Sequence, residues 1–166
     1  MIRRALALVA SACGWLAGGF LLSIAVLVLI QVAGRLLGLL LPAADEFAGF
    51  CLAASSFLAL ASTFRAGGHI RVAILLQRFG ARQRRWVEFW CLGVAALLAG
   101  YFTVFAIEMV WESYLFGDVG QNLIPTPLWI PQIGVALGLG VLCLSLIDAL
   151  VQVARGRAPA HGAAED

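Results

Sequence analysis

The 166-residue sequence contains no lysine, and charged residues of every kind make up only 12% of it. A soluble domain of this size is about half apolar and about a quarter charged. Here 63% of residues are apolar and the mean hydropathy is +0.99. A water-facing surface cannot be covered with so few charges, so lipid must be the solvent for most of the chain. The formal net charge of +2 is too small to point to nucleic acid.

The groups that carry chemistry are also scarce. The only histidines are His69 and His161, one in a connection and one in the tail. A membrane haem protein needs histidine inside its spans. The four cysteines, Cys13, Cys51, Cys91 and Cys143, form no CxxC pair, and each lies in its own apolar run. They read as small buried residues rather than a disulfide framework, metal site or thiol-oxidising centre. No glycine-rich phosphate cradle follows a strand. The sequence therefore predicts no catalytic residue, no metal and no cofactor, and a protein that is not an enzyme.

What is present is four apolar runs, at about 5–33, 45–65, 86–111 and 127–153. Crossing the hydrocarbon core takes about 20 helical residues, so each run is long enough for one passage. The expected fold is an all-α integral membrane domain over residues 1–153, followed by a short polar tail at 154–166. The basic start and the AxA before Cys13 have some character of a cleavable leader. The apolar run continues about 20 residues past Cys13, however, beyond a leader's roughly 7–15, which favours an uncleaved first span. Trp86 and Trp90 mark one end of the third span, Trp111 and Tyr114 its other end, and Trp129 the start of the fourth, as expected of interfacial aromatics. Thr126 and Pro127 read as a cap and first turn for the fourth helix, with Pro131 deeper as a possible kink.

The eleven positive charges are all arginine and are unevenly placed. Arg3 and Arg4 precede the first span. Arg65, Arg71, Arg78, Arg82, Arg84 and Arg85 lie between the second and third, and Arg155 and Arg157 follow the fourth. Only Arg35 falls in an alternate connection. Short arginine-rich connections stay in the cytoplasm, which puts both termini and the 66–85 connection there. Within that connection Ile70, Ile74, Leu75, Leu76 and Phe79 recur at near-helical spacing. Arg71, Arg78, Arg82 and Arg85 share one sector of such a helix, unless Gly80 interrupts it. Gly67 and Gly68 allow the chain to turn from a crossing helix into a flat one. A plain loop would suffice to set topology. The long apolar face favours an interfacial amphipathic helix between spans two and three, with arginines reaching phospholipid headgroups.

Ionisable residues inside spans are functional candidates by default. Glu88 lies at an interface, Asp148 within two turns of Arg155, and Glu108 about one turn from the outer end, so none has the midplane position of a carrier's site. Asp45, Glu46 and Glu108 read instead as possible polar contacts to a partner. Gly14/Gly18 and Gly134/Gly138 are GxxxG pairs that permit close helix approach, within the chain or against another subunit.

Two stretches carry a resemblance. "DEFAGFCLAASSFLALASTFRAGGHIRV" combines an acidic entry to span two with a small-residue span and an Arg, Gly and HIRV ending. "GQNLIPTPLWIPQIGVALG" approaches span four through Gly and a Pro–Trp–Pro sequence. In this order and spacing they resemble the small, DctQ-type permease subunit of tripartite ATP-independent periplasmic (TRAP) transporters. Ala73 departs from the family, where Asp often follows HIRV. The resemblance implies a non-catalytic subunit in the bacterial inner membrane. It would brace a large permease subunit that carries out sodium-coupled uptake of an organic acid anion, delivered by a periplasmic binding protein. The outer connection 112–126 would be the part of this chain to meet that protein. The alternative from another class is a self-contained small carrier or channel with Glu108 as its ion site. With the arginines inside, a tag at either terminus should resist external protease in intact cells, and its cleavage would reverse the assigned orientation.

Overall fold

The computed structural model describes residues 2–39, 43–66, 81–120 and 125–156, without the side chains of residues 2, 3, 81, 82 and 84. It contains four helices: α1 (Ile2–Leu36), α2 (Ala44–Arg65), α3 (Ala81–Phe116) and α4 (Trp129–Ala154). All four are long and apolar enough to cross a membrane. Among the described residues there is no strand beyond an isolated bridge between Val119 and Pro127. The expected interfacial helix, with Arg71 and Arg78, lies outside the described residues, as does the tail beyond Gly156.

The helix ends follow local chemistry. Asp45 and Glu46 occupy the first turn of α2 and Arg65 its last, each on the favourable side of the helix dipole. α1 and α3 stop where Gly38 and Gly117 turn to φ +73° and +66°. Those angles would strain any side chain, and they let Leu39 N–H and Asp118 N–H return to the carbonyls of Gly34 and Ser113. α1 and α3 have 35 and 36 residues, about 52–54 Å, well beyond a 30 Å hydrocarbon core. Their ends therefore project or the helices tilt. α3 already begins at Ala81, so Arg82, Arg84 and Arg85 stand in its first turns rather than in a loop.

The start of α4 differs from expectation. The helix begins at Trp129, its N-cap is Leu128, and no side chain caps it. Thr126 and Pro127 are instead held alongside residues 118–120. Gly120 N–H donates to the Thr126 carbonyl (2.9 Å) and Leu128 N–H to that of Asp118 (3.0 Å). Pro131 is the third helical residue, where a missing N–H costs no intrahelical bond.

The helices pack as a row in the order α1, α2, α4, α3. α2 and α4 are the central pair and run parallel, since Gly134 lies against Ala54 and Gly138 against Phe57 and Leu58. A methyl group on Gly134 would come within 2.9 Å of Ala54 Cβ, and one on Gly138 would overlap the Phe57 carbonyl. On one side α1 packs antiparallel on α2 through Ala10, Cys13 and Ala17 against Leu58 and Ala61, with Val141 of α4 completing the cluster. On the other, Ala96 and Ala99 of α3 meet Leu146 and Ala149 of α4, with Phe64 of α2. Small residues dominate both seams, because in lipid the gain comes from close backbone approach rather than from leaving water.

Arg85 ties α3 to α4 at the end where α3 starts. Its Nε donates to the Val153 carbonyl (3.1 Å), which also accepts from Gly156 N–H, and its Nη2 to that of Ala154 (2.9 Å), both in the last turn of α4, where carbonyls lack the usual helical donors. The cation also sits at the negative pole of that helix. Two predictions follow from the packing. Gly138→Leu should destabilise the fold by about 1–3 kcal/mol through overpacking, whereas Gly18→Ala, at a position with nothing within 4 Å, should leave detergent unfolding unchanged. Arg85→Met should speed amide exchange in the last turn of α4 and cost about 1 kcal/mol. Arg85→Lys should restore only part, having no planar fork to hold two carbonyls.

Candidate functional site

The two ends of the row have opposite electrical character. α2 and α4 start at the same end at which α1 and α3 stop, which brings Glu46 of α2 against Gly120 there. That end carries Asp45, Glu46, Glu108, Glu112 and Asp118 against the single Arg35. Among the described residues the opposite end gathers Arg3, Arg4, Arg65, Arg82, Arg84, Arg85 and Arg155.

At the acidic end the two stretches that carried the family resemblance meet in space. The Glu46 carboxylate is seated directly on Gly120, where any side chain would collide with it. Glu46 Oε2 and Gln132 Oε1 are buried without a hydrogen-bond partner among the described residues. Asp45, next to Glu46, is exposed. The first turn of α2 thus supports the start of the 117–128 connection, whose other side is held by the Gly120–Thr126 and Asp118–Leu128 backbone bonds.

At the arginine-rich end, Arg65 is half-buried in the last turn of α2, and Arg4 and Arg155 are exposed. Arg85 is engaged with α4 as described. Arg82 and Arg84 are placed on the first turns of α3. A cavity of about 400 Å³ here is lined by Arg85, Trp86, Phe89, Val153 and Ala154.

The interior is apolar, and its hydroxyls turn back on their own helices. Ser55 donates to the Leu52 carbonyl, Ser62 to Ala59, Thr103 to Ala99 and Ser145 to Val141, at 2.6–2.9 Å. Gln152 donates to Asp148 Oδ2 at 2.8 Å within α4. None of these forms a polar file along a helix seam. The four cysteines are free thiols, and no group of His, Cys, Asp and Glu able to hold a metal exists among the described residues. The larger cavity, about 560 Å³, lies between α3 and α4. Its lining is almost wholly apolar, from Thr103 and Leu144 up to Trp111, Tyr114 and Trp129. Glu108 is not part of it. That residue is exposed on the side of α3 opposite the Ala96, Ala99 and Ala106 stripe, facing away from the other helices.

The glycine pairs behave unequally. Gly134 and Gly138 both lie on α2, and a methyl group on Gly14 would sit 3.1 Å from Ser62 Cβ, whereas Gly18 faces open space. Two structurally important residues escaped the sequence reading. Gly120 was legible only as part of a motif, and Arg85 was grouped with lipid-facing arginines because nothing in its neighbours announces the end of a helix 68 residues further on.

Residues 24–156 match the family described as tripartite ATP-independent periplasmic transporters, DctQ component. The C4-dicarboxylate TRAP transporter small permease protein DctQ of Rhodobacter capsulatus is 26% identical over 98 residues, which are 58% of this chain and 43% of that protein. The aligned stretch thus spans less than half of the relative's length. No solved structure matches. With four helices long and apolar enough to cross a membrane and most of its length matched, this multi-pass protein of the bacterial inner membrane is a transporter subunit, not an enzyme, and belongs to the DctQ component family of TRAP transporters.

Proposed function

We propose that the chain is the static membrane brace of a TRAP transporter, holding a large permease subunit that performs sodium-coupled uptake of an organic acid anion. The observation that carries this reading is the row of helices. With α1, α2, α4 and α3 side by side, the described residues enclose no polar passage, and broad apolar faces are left for lipid or another subunit. A carrier would need an ion or substrate site near mid-membrane between helices. Glu108 instead stands on the outward side of α3, which argues against a self-contained carrier. The name of the Rhodobacter relative points to a C4-dicarboxylate as the class of cargo, which other chains of the complex would select.

In this reading both termini and the arginine-rich connection are cytoplasmic, since ten of eleven arginines belong to that end. Arg65, Arg71, Arg78, Arg82 and Arg84 would hold phospholipid headgroups and resist tilting of the brace. The acidic end, with the last turn of α3 from Glu112 and the connection after it, supported by Glu46 at Gly120, would face the periplasm and meet the soluble binding protein. Gly14, Gly134 and Gly138 serve packing within the chain, and Gly18 is left for contact outside it.

The direct test is a mild-detergent pull-down of the tagged full-length chain from its native cells, with mass spectrometry and an uptake assay. A stoichiometric, much larger polytopic protein is expected, and substrate uptake should survive Glu108→Gln within about twofold, since no transport step is assigned to that carboxylate. A homo-oligomer that transports alone in liposomes, and stops doing so in Glu108→Gln, would sink the proposal.

A further inference from the structure

The two outer helices of the row are not alike, and the difference indicates which one meets a partner. The free side of α1 carries no carboxylate, and past the exposed Arg4 at its start it is uncharged as far as Leu29, with Leu8, Trp15, Leu22 and Leu29 exposed. Such a face is at home in lipid. The free side of α3 carries Glu108 and Glu112, both exposed and neither with a hydrogen-bond or ion-pair partner among the described residues. Four residues apart, they stand on one line of the helix, where like charges repel. Glu108 is eighteen residues beyond Trp90, about 27 Å along the axis, which sets it at the outer margin of the hydrocarbon core. Directly below it, Tyr101 contacts Phe105 with ring centroids 4.5 Å apart and planes inclined at 50°, and meets Phe102 edge-on at 5.8 Å. The result is an aromatic patch, half-exposed, capped by uncompensated negative charge. Aromatic surface of this kind is enriched at protein contacts, and a carboxylate at a membrane-facing position calls for a donor from outside the chain.

We propose that the free face of α3, centred on Phe105 and Glu108, is the docking surface for a membrane helix of the large permease subunit. The partner helix bears an arginine or lysine at the outer-leaflet level, to neutralise Glu108, and small or apolar residues one to two turns deeper, to cover Tyr101 and Phe105. This rests on the reading of the chain as a TRAP small subunit and adds which edge of the row is used.

The test uses the full-length chain in its native cells, with a photo-crosslinking amino acid placed at Phe105 or, as the opposite edge, at Leu22. The expected result is an adduct with the large permease subunit from position 105 and none from 22. Independently, Glu108→Lys should lower the amount of large subunit retained in pull-down by about tenfold, with Glu108→Gln, which keeps an oxygen acceptor for the partner's donor, within about twofold of the unaltered chain. Adducts from 22 but not 105, or lipid adducts alone from 105 while the large subunit still co-purifies, would overturn the choice of face. Undiminished retention in Glu108→Lys would overturn the role of the carboxylate. If the unaltered chain retains no large membrane protein at all, the small-subunit reading fails, and this proposal falls with it.

Discussion

Helices α2 and α4 run parallel with their backbones in contact, Gly138 lying against the Phe57 carbonyl and Gly134 against Ala54. In lipid there is no gain from hiding apolar side chains, so helix association relies on close fit. This crossing supplies it. The two helices of the pair come from separate halves of the chain, and neither is joined to the other by a short turn. α1 can then lie against α2, and α3 against α4, each as the antiparallel neighbour of a helix already anchored. Without the crossing the chain would be two helical hairpins with little to hold them together.

A row of four helices has a different surface from a closed bundle. No large side chain is fully buried among the described residues. The buried positions are mostly alanine, glycine and serine along the seams, while leucine, phenylalanine and tryptophan point outward. Such a body is wide and thin, which is consistent with the proposed role as a brace. It is poorly suited to enclosing a solute, and its internal hydroxyls are already engaged by their own helices.

Charge gives the row its two ends. Arginines gather where α2 and α4 finish, near the negative poles of those helices, and carboxylates gather where the same helices begin. Because the two central helices are parallel, their dipoles add rather than cancel, and both ends carry the sign that complements them. Arg85 uses this locally by occupying the last carbonyls of α4. Glu46 stands in the first turn of α2 and supports the 117–128 connection through its seat on Gly120.

The sequence by itself determined the class of the protein. Apolar runs longer than the bilayer is thick can only be satisfied as spanning helices, and the HIRV and Pro–Trp–Pro stretches, in order, carried the family. Helix ends were less legible. A run of arginines reads as a loop by hydropathy, yet it continues α3 by a turn, because helix formation tolerates charge wherever the end can reach water. Thr126 and Pro127 have the chemistry of a helix start, but backbone bonds to Asp118 and Gly120 claim them first. Only the tertiary structure decided which helices neighbour one another. Glycine pairs in α1 and α4 look alike in sequence, and just the latter bears wholly on another helix, because contact depends on the direction a face points once the row has formed. For the same reason Glu108 could be found in the sequence, but not the side of the row on which it stands.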